Sequence, residues 1–289
     1  MSTTTLPVAD DEQLTIVRRR SPLRLLGIIV LLVLAAMLVN TLITNQRFEW
    51  GVVGQYLTVD AVVAGAWLTL ELTAVAMVLG VLLGIVLAVM RVSRSRLLSS
   101  TSWAFVWFFR GTPLLIQLIF WFNLSALYPA LSLGIPFGPG FISGSSNAFI
   151  TPFVAAVLGL SLNEAAYMAE IVRGGLLGVD RGQTEAAQAL GMRRLHILRR
   201  IVLPQAMRII VPPVANQTLS MLKNTSLVSV LGAADLLHSV QIVYSRTYQT
   251  VPLLIVAALW YLAMTSVLSV GQHYVERYYR RSDRSVAPV

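Results

Sequence analysis

Five ionisable side chains, Glu71, Arg110, Glu164, Glu170 and Lys223, stand inside long apolar runs of this sequence. In hydrocarbon each such group is costly, so each requires a counter-charge, a hydrogen-bonding cluster or an aqueous path. Asn163 and Glu164 precede Tyr167 and Met168 by about one helical turn, which sets an amide, an acid and two larger side chains along one stretch of cavity wall. Lys223, Asn224, Thr225 and Ser226 are consecutive and place a cation beside three hydrogen-bonding groups, suited to a carboxylate or to unwound backbone. Plainer readings stand beside these. Lys223 has Glu71 or Glu164 as a candidate partner, Glu170 has Arg173 three residues on, and Arg110, Gly111, Thr112 and Pro113 fit a helix break as well as a ligand contact.

Covalent chemistry is poorly provided for. Cysteine is absent, which removes disulfides, thiolate metal sites and thiol catalysis. His196, His238 and His273 fall in separate segments, so the sequence offers no metal ligand set, and no Ser/His/Asp constellation assembles. A phosphate-cradling loop needs Gly-Lys followed by Ser or Thr, but the only lysine, Lys223, follows Leu222. No catalytic residue is assigned, and nucleotide hydrolysis, if any serves this chain, belongs to another one.

The elements that must position these groups are apolar helices. The 289 residues are 56% hydrophobic with mean hydropathy +0.72 and only 12% charged, which makes the bilayer the solvent. A formal charge of +9 would point to nucleic acid in a soluble chain, yet the basic residues form no single patch. They gather as Arg18, Arg19, Arg20 and Arg24; as Arg91, Arg94 and Arg96; as Arg173, Arg181, Arg193, Arg194, Arg199, Arg200 and Arg208; and as Arg277, Arg280, Arg281 and Arg284. That is positive-inside bias, and it excludes nucleic acid as the explanation of the charge.

Placing those four clusters in the cytoplasm predicts six spans, at about 23–43, 61–90, 102–127, 150–172, 207–231 and 252–272. The fold class is therefore all-α, a polytopic membrane protein with both termini cytoplasmic. The first run lacks a small-residue cleavage site and follows a polar tail, as a retained signal-anchor does. Residues 1–22 form an N-terminal tail, 23–60 the first span and its outside loop, 61–275 the core, and 276–289 a C-terminal tail. The Gly/Pro/Ser-rich stretch 128–149 reads as an irregular outside loop, and 234–244 as a short surface helix. Gly80 and Gly84 serve close helix packing, and Pro212 and Pro213 kink the fifth span.

The longest cytoplasmic loop, 174–205, is polar, basic and helix-forming. Asp180 caps a first helix, with Gln183 placed to reciprocate. Ala186, Ala187 and Leu190 make an apolar strip, and Gly191 allows a sharp break. Leu195, Leu198, Ile201 and Val202 face one side of a second piece until Pro204 ends or kinks it.

That loop, EAAQALG followed by MRRLHILRR and IVLP, resembles the EAA loop of ABC importer permeases. Glu185, Ala186, Ala187, Gly191, Ile201, Leu203 and Pro204 stand at the family's fixed spacing. RGTPLLIQ at 110–117, NEAAYMAEIVRGG at 163–175 and LKNTSLVSVLG at 222–232 resemble the polar amino acid subfamily, and the likeness covers about 61–275. The resemblance implies a type I importer permease fold and a coupling helix seated in a groove of a separate ATPase. It further implies two ABC ATPase subunits holding ATP and Mg²⁺, a second permease copy, an extracytoplasmic solute-binding protein, a polar amino acid as cargo, and the bacterial inner membrane as location. An ion-coupled carrier, a membrane hydrolase and a permease for another small zwitterion are the alternatives.

Overall fold

The computed structural model describes residues 22–134 and 140–280; the arginines at 18–20, 281 and 284 lie outside them. Two compact units divide at Phe48 and Glu49. The first holds one helix, α1 (Pro22–Thr44), closed by a 3-10 turn, Gln46–Phe48. Its 23 residues rise about 35 Å at ~1.5 Å each, enough for the hydrocarbon thickness.

The second unit begins with α2 (Trp50–Tyr56) and the long α3 (Asp60–Val92), then α4 (Arg96–Gly111), α5 (Leu114–Phe122) and α6 (Leu124–Leu127). A hairpin follows, β1 (Ala130–Gly134) against β2 (Gly140–Ser145), antiparallel with Ala130 opposite Ser145. After α7 (Ser146–Phe149) come α8 (Pro152–Leu177), α9 (Arg181–Ala189), α10 (Arg194–Ile197), a π-helical turn (Leu198–Val202) and α11 (Leu203–Asn224). A 3-10 stretch (Thr225–Leu231) leads to α12 (Leu236–Thr247) and α13 (Thr250–Arg280).

Among the described residues, α1, α3, α8 and α13 are each long and apolar enough to cross a membrane. Two further pairs qualify if each counts as one broken span: α4 with α5, bent by 101°, and Arg194–Leu231 with α12, bent by 46°. The expected span at 102–127 is broken into α4, α5 and α6, with the bend at the helix break that Pro113 suggested. Pro113 has no amide hydrogen to give Phe109, so the ladder stops there.

Other boundaries also move. Residues 128–149 are not irregular throughout: the alternation around Leu131 and Leu133 is long enough for a two-stranded ribbon, so the fold is not purely helical. The final helix continues to Arg280, which takes the first residues of the expected tail at 276–289 into α13. The fifth span starts at Leu203, since Pro204 sits in the first turn of α11, where its missing N–H is tolerated. Pro204 therefore opens this helix instead of ending the preceding one. α11 runs on through Pro212 and Pro213, which withdraw the amide bonds due to Arg208 and Ile209.

α8 is the hub, packed against α3, α4, α5 and α11. Its inner face is built of small residues, Ala155, Ala156, Gly159, Ser161, Ala165, Ala166 and Ala169 among them. The expected roles of Gly80 and Gly84 are visible at the α3–α8 crossing. A Cβ on Gly80 would lie 2.7 Å from Glu164 Cβ, and one on Gly84 2.3 Å from Met168 Cβ. α12 is no surface helix. Leu236, Ser239 and Val240 are buried, Leu236 N–H donates to Thr69 Oγ1 at 3.1 Å, and Gly65 of α3 lets Ser239 approach. Asp235 caps it, its carboxylate accepting from Leu237 and His238 amides.

Two adjacent glycines near the end of α8 differ sharply. A Cβ on Gly175 would lie 2.2 Å from Ile210 Cγ1, whereas nothing lies within 4 Å of one on Gly174. Gly175→Ala is expected to cost about 1–3 kcal/mol through overpacking, and Gly174→Ala to gain up to about 1 kcal/mol in helix propensity. Thermal unfolding midpoints of the two purified variants should move in opposite directions.

Candidate functional site

The break at Pro113 leaves the Phe109 carbonyl without its helical partner. Two buried amides supply the deficit. Gln117 Nε2 donates to Phe109 O at 2.9 Å and to the Thr112 hydroxyl at 2.7 Å, while Asn163 Nδ2 donates to Phe109 O at 3.0 Å and to Gln117 Oε1 at 3.2 Å. The bend is thereby fixed to α8 by hydrogen bonds that only a broken helix can accept.

Beside this break lies a cavity of 520 Å³, lined by Arg110, Gly111, Thr112, Pro113 and Leu114 of the bend, by Asn163 and Tyr167 of α8, and by Gln217, Ser220, Asn224 and Leu227. Arg110 Cζ sits 5.3 Å from the Tyr167 ring centroid, a cation–π contact that holds the guanidinium at the rim. Among the described residues no carboxylate lines the cavity. Its wall offers one cation, amides and hydroxyls, a volume and chemistry fit for a small polar solute.

The other residues singled out in the sequence lie elsewhere. Glu164 is 1% exposed, with Oε2 accepting from Gln217 Nε2 at 3.2 Å and Oε1 without a partner. It stands behind Gln217, outside the cavity wall. Met168 is fully buried against α3 near Gly84. Lys223 is exposed and joined to neither Glu71 nor Glu164; among the described residues the one ion pair is Glu170 Oε2 with Arg173 Nη2 at 2.6 Å. Thr225 is buried and donates to Leu222 O, and Ser226 donates to Lys223 O, so both hydroxyls close the turn after α11.

The elbow between α8 and α11 has its own geometry. Asp180 Oδ1 accepts from Gly182 N–H at 2.6 Å, and Gln183 gives its backbone N–H to Asp180 O. At the far end Gly191 takes φ +72°, with Gly191 N–H bonded to Gln188 O and Met192 N–H to Ala187 O. This is a Schellman closure, and it needs a left-handed residue at Gly191. The expected Ala186, Ala187 and Leu190 strip is divided: Ala187 is 3% exposed while Leu190 is 82% exposed, with Glu185 and Ala186 also outward. α9 folds back on α10 and the π turn, and that contact takes Ala187. Of the second strip, Leu195 and Leu198 are exposed and Ile201 and Val202 half-buried, while Ile197, outside that strip, is the buried residue of α10.

A profile of the family described as the binding-protein-dependent transport system inner membrane component matches residues 80–281. The chain belongs to that family. This permease is 42% identical over 265 residues to the arginine transport system permease protein ArgU of Corynebacterium glutamicum, covering 91% of this chain and 82% of the relative. It is 36% identical to the L-cystine transport system permease protein TcyB of Bacillus subtilis, over 77% of this chain and 87% of that one. Among solved structures, an amino acid ABC transporter described with histidines matches at TM-score 0.64 and 34% identity, covering 75% of the permease and 94% of that chain. The MetNI methionine ABC transporter in an inward-facing conformation shares the fold at TM-score 0.61 and 21% identity, over 76% and 97%. The alignment to the arginine relative is longer than the 61–275 core.

Gln217, Ser220 and Leu227 of the permease were not among the residues expected at a site. Their spacing carried the signal: 217, 220, 224 and 227 recur at three and four residues, one helical face. Gln117 lay in the quoted RGTPLLIQ run, but its partner Asn163 is 46 residues away, beyond any local pattern.

Proposed function

We propose that this permease moves a polar amino acid across the bacterial inner membrane as one subunit of an ABC importer. The observation that carries the reading is the 42% identity to an arginine permease across 91% of the chain. Six spans, with α4–α5 and α11–α12 each as one broken span, leave both termini and the 181–204 elbow cytoplasmic, as the arginine clusters favour. The partners are two ABC ATPases that hold ATP and Mg²⁺, a second permease copy and an extracytoplasmic solute-binding protein. The outward face of α9, with Glu185, Ala186 and Leu190, docks in the ATPase groove, and Gly191 sets the angle at which force passes into α11.

In the cavity, Arg110 meets the carboxylate of the amino acid, and the oxygens of Gln217, Asn224 and Ser220 meet its ammonium. Gln217 spends an N–H on Glu164, which turns its amide oxygen toward the solute. Glu164 is on this view a positioning residue. Glu164→Leu is expected to lower uptake about tenfold, while Glu164→Gln, which keeps an acceptor, stays within about threefold. Equal loss in both variants would mean that the carboxylate itself touches the solute.

The test of function is uptake of labelled arginine and other polar amino acids into proteoliposomes carrying the permease, its ATPase and the binding protein. Uptake that requires ATP and binding protein is the expected result. Uptake by the permease alone under a proton or sodium gradient would replace this reading with a carrier.

A further inference from the structure

The α3–α4 hairpin carries a second polar cleft, of 420 Å³, with no part in the solute cavity. α3 ends at Val92, residues 93–95 turn, and α4 begins at Arg96, so Arg91, Arg94 and Arg96 converge on one loop. The loop is braced: Arg91 Nη1 donates to Ser99 O at 3.3 Å and Ser99 Oγ returns a bond to Arg91 O at 3.2 Å. That contact uses one of the five N–H donors of Arg91 and orients the rest of its guanidinium. Among the described residues none of the three arginines takes part in an ion pair, and no carboxylate lines the cleft. Ser100 lines the cleft with its hydroxyl donated to Arg96 O at 2.6 Å, and Trp103, half exposed and stacked on Trp107 at 6.1 Å, forms the wall. The first turn of the 16-residue α4 opens into the same place with no side-chain cap on its amides.

Three cations and uncapped helix amides select a phosphate group. Trp103, which lines the cleft, is of the kind that marks the boundary between headgroups and hydrocarbon. A soluble anion would need no such wall, whereas a phospholipid would lay its acyl chains along the exposed Leu97, Trp103 and Trp107 face of α4 while its phosphate entered the cleft. We propose that this cleft binds the headgroup phosphate of an anionic phospholipid, held by Arg91, Arg94 and Arg96. Basic pockets beside membrane helices recognise such headgroups at a gain of about fivefold in affinity per arginine.

The purified transporter complex, titrated with phosphatidylglycerol or phosphatidylcholine and read by native mass spectrometry, tests this. Wild-type protein is expected to retain phosphatidylglycerol at least tenfold better than phosphatidylcholine. Arg91→Gln with Arg94→Gln and Arg96→Gln should abolish that preference, and Ser100→Glu, which leaves the arginines and adds a repelling charge at an exposed position, should reduce it in an assembled complex. A charge-matched variant, Arg24→Gln with Arg47→Gln and Arg246→Gln, should keep it. Preference unchanged in both cleft variants would overturn the proposal. So would displacement of the lipid by equimolar inorganic phosphate, because the site would then be one for a free anion.

Discussion

Gly191→Val is expected to cut ATP-driven uptake about tenfold or more while ATP hydrolysis by the assembled complex continues. The basis is backbone conformation alone. Gly191 holds φ +72° in the Schellman closure of α9, and nothing lies within 4 Å of the position a Cβ would take. A bulky residue therefore meets no neighbour within the chain. Its cost is the left-handed backbone, about 1–3 kcal/mol for a β-branched side chain, which the elbow relieves by re-aiming α9. Asparagine tolerates that region, so Gly191→Asn should transport nearly as well as wild type, with Gly191→Ala between the two. A ranking by side-chain volume instead, with asparagine as poor as valine, would place the defect in contact with the ATPase surface and remove the conformational role.

Arg110→Gln is expected to lower uptake about tenfold to hundredfold, the worth of a charge-assisted bond to a carboxylate. Among the described residues Arg110 is the sole cation on the cavity wall, so no neighbouring charge takes over. Arg110→Lys should recover only part of the activity, since an ammonium reproduces neither the fork nor the flat stacking on Tyr167. Tyr167→Leu isolates the stacking and should cost about two- to fivefold. These variants keep the bend, whose bonds run through Gln117 and Asn163, so trypsin resistance and assembly serve as controls. Wild-type uptake in Arg110→Gln would return Arg110 to a purely architectural part.

Much of this was legible beforehand for a simple reason. Apolar length and arginine placement act along the chain, and they located α1, α3, α8 and α13 within a few residues except where α8 and α13 run on at their C-terminal ends. The elbow was legible through fixed spacing, and the glycines of α3 through their four-residue interval. What escaped depended on contacts distant in sequence. Pro113 announced a break, but a 101° bend persists only because Asn163 and Gln117 satisfy Phe109 O. Ala187 belongs to an apolar strip by periodicity, and folding of α9 onto α10 removes it from the surface. Glu164 had the burial and polarity of a ligand contact, yet Gln217 stands between it and the cavity. Asp235 and Leu236 read as surface until Thr69 and Gly65 of α3 are brought beside them.

ATP-driven transport by this permease requires the outward face of α9 to meet an ATPase in the cytosol. Because the chain contains no cysteine, Leu190→Cys and Ala187→Cys each introduce a single thiol, one at a position 82% exposed and the other at 3%. Short-spacer crosslinking in inside-out membrane vesicles should join Leu190→Cys to the ATPase chain, with a yield that changes when ATP is added, and should leave Ala187→Cys unjoined. Labelling of Leu190→Cys by an impermeant thiol reagent applied to the outside of intact cells, with no ATPase adduct, would contradict it.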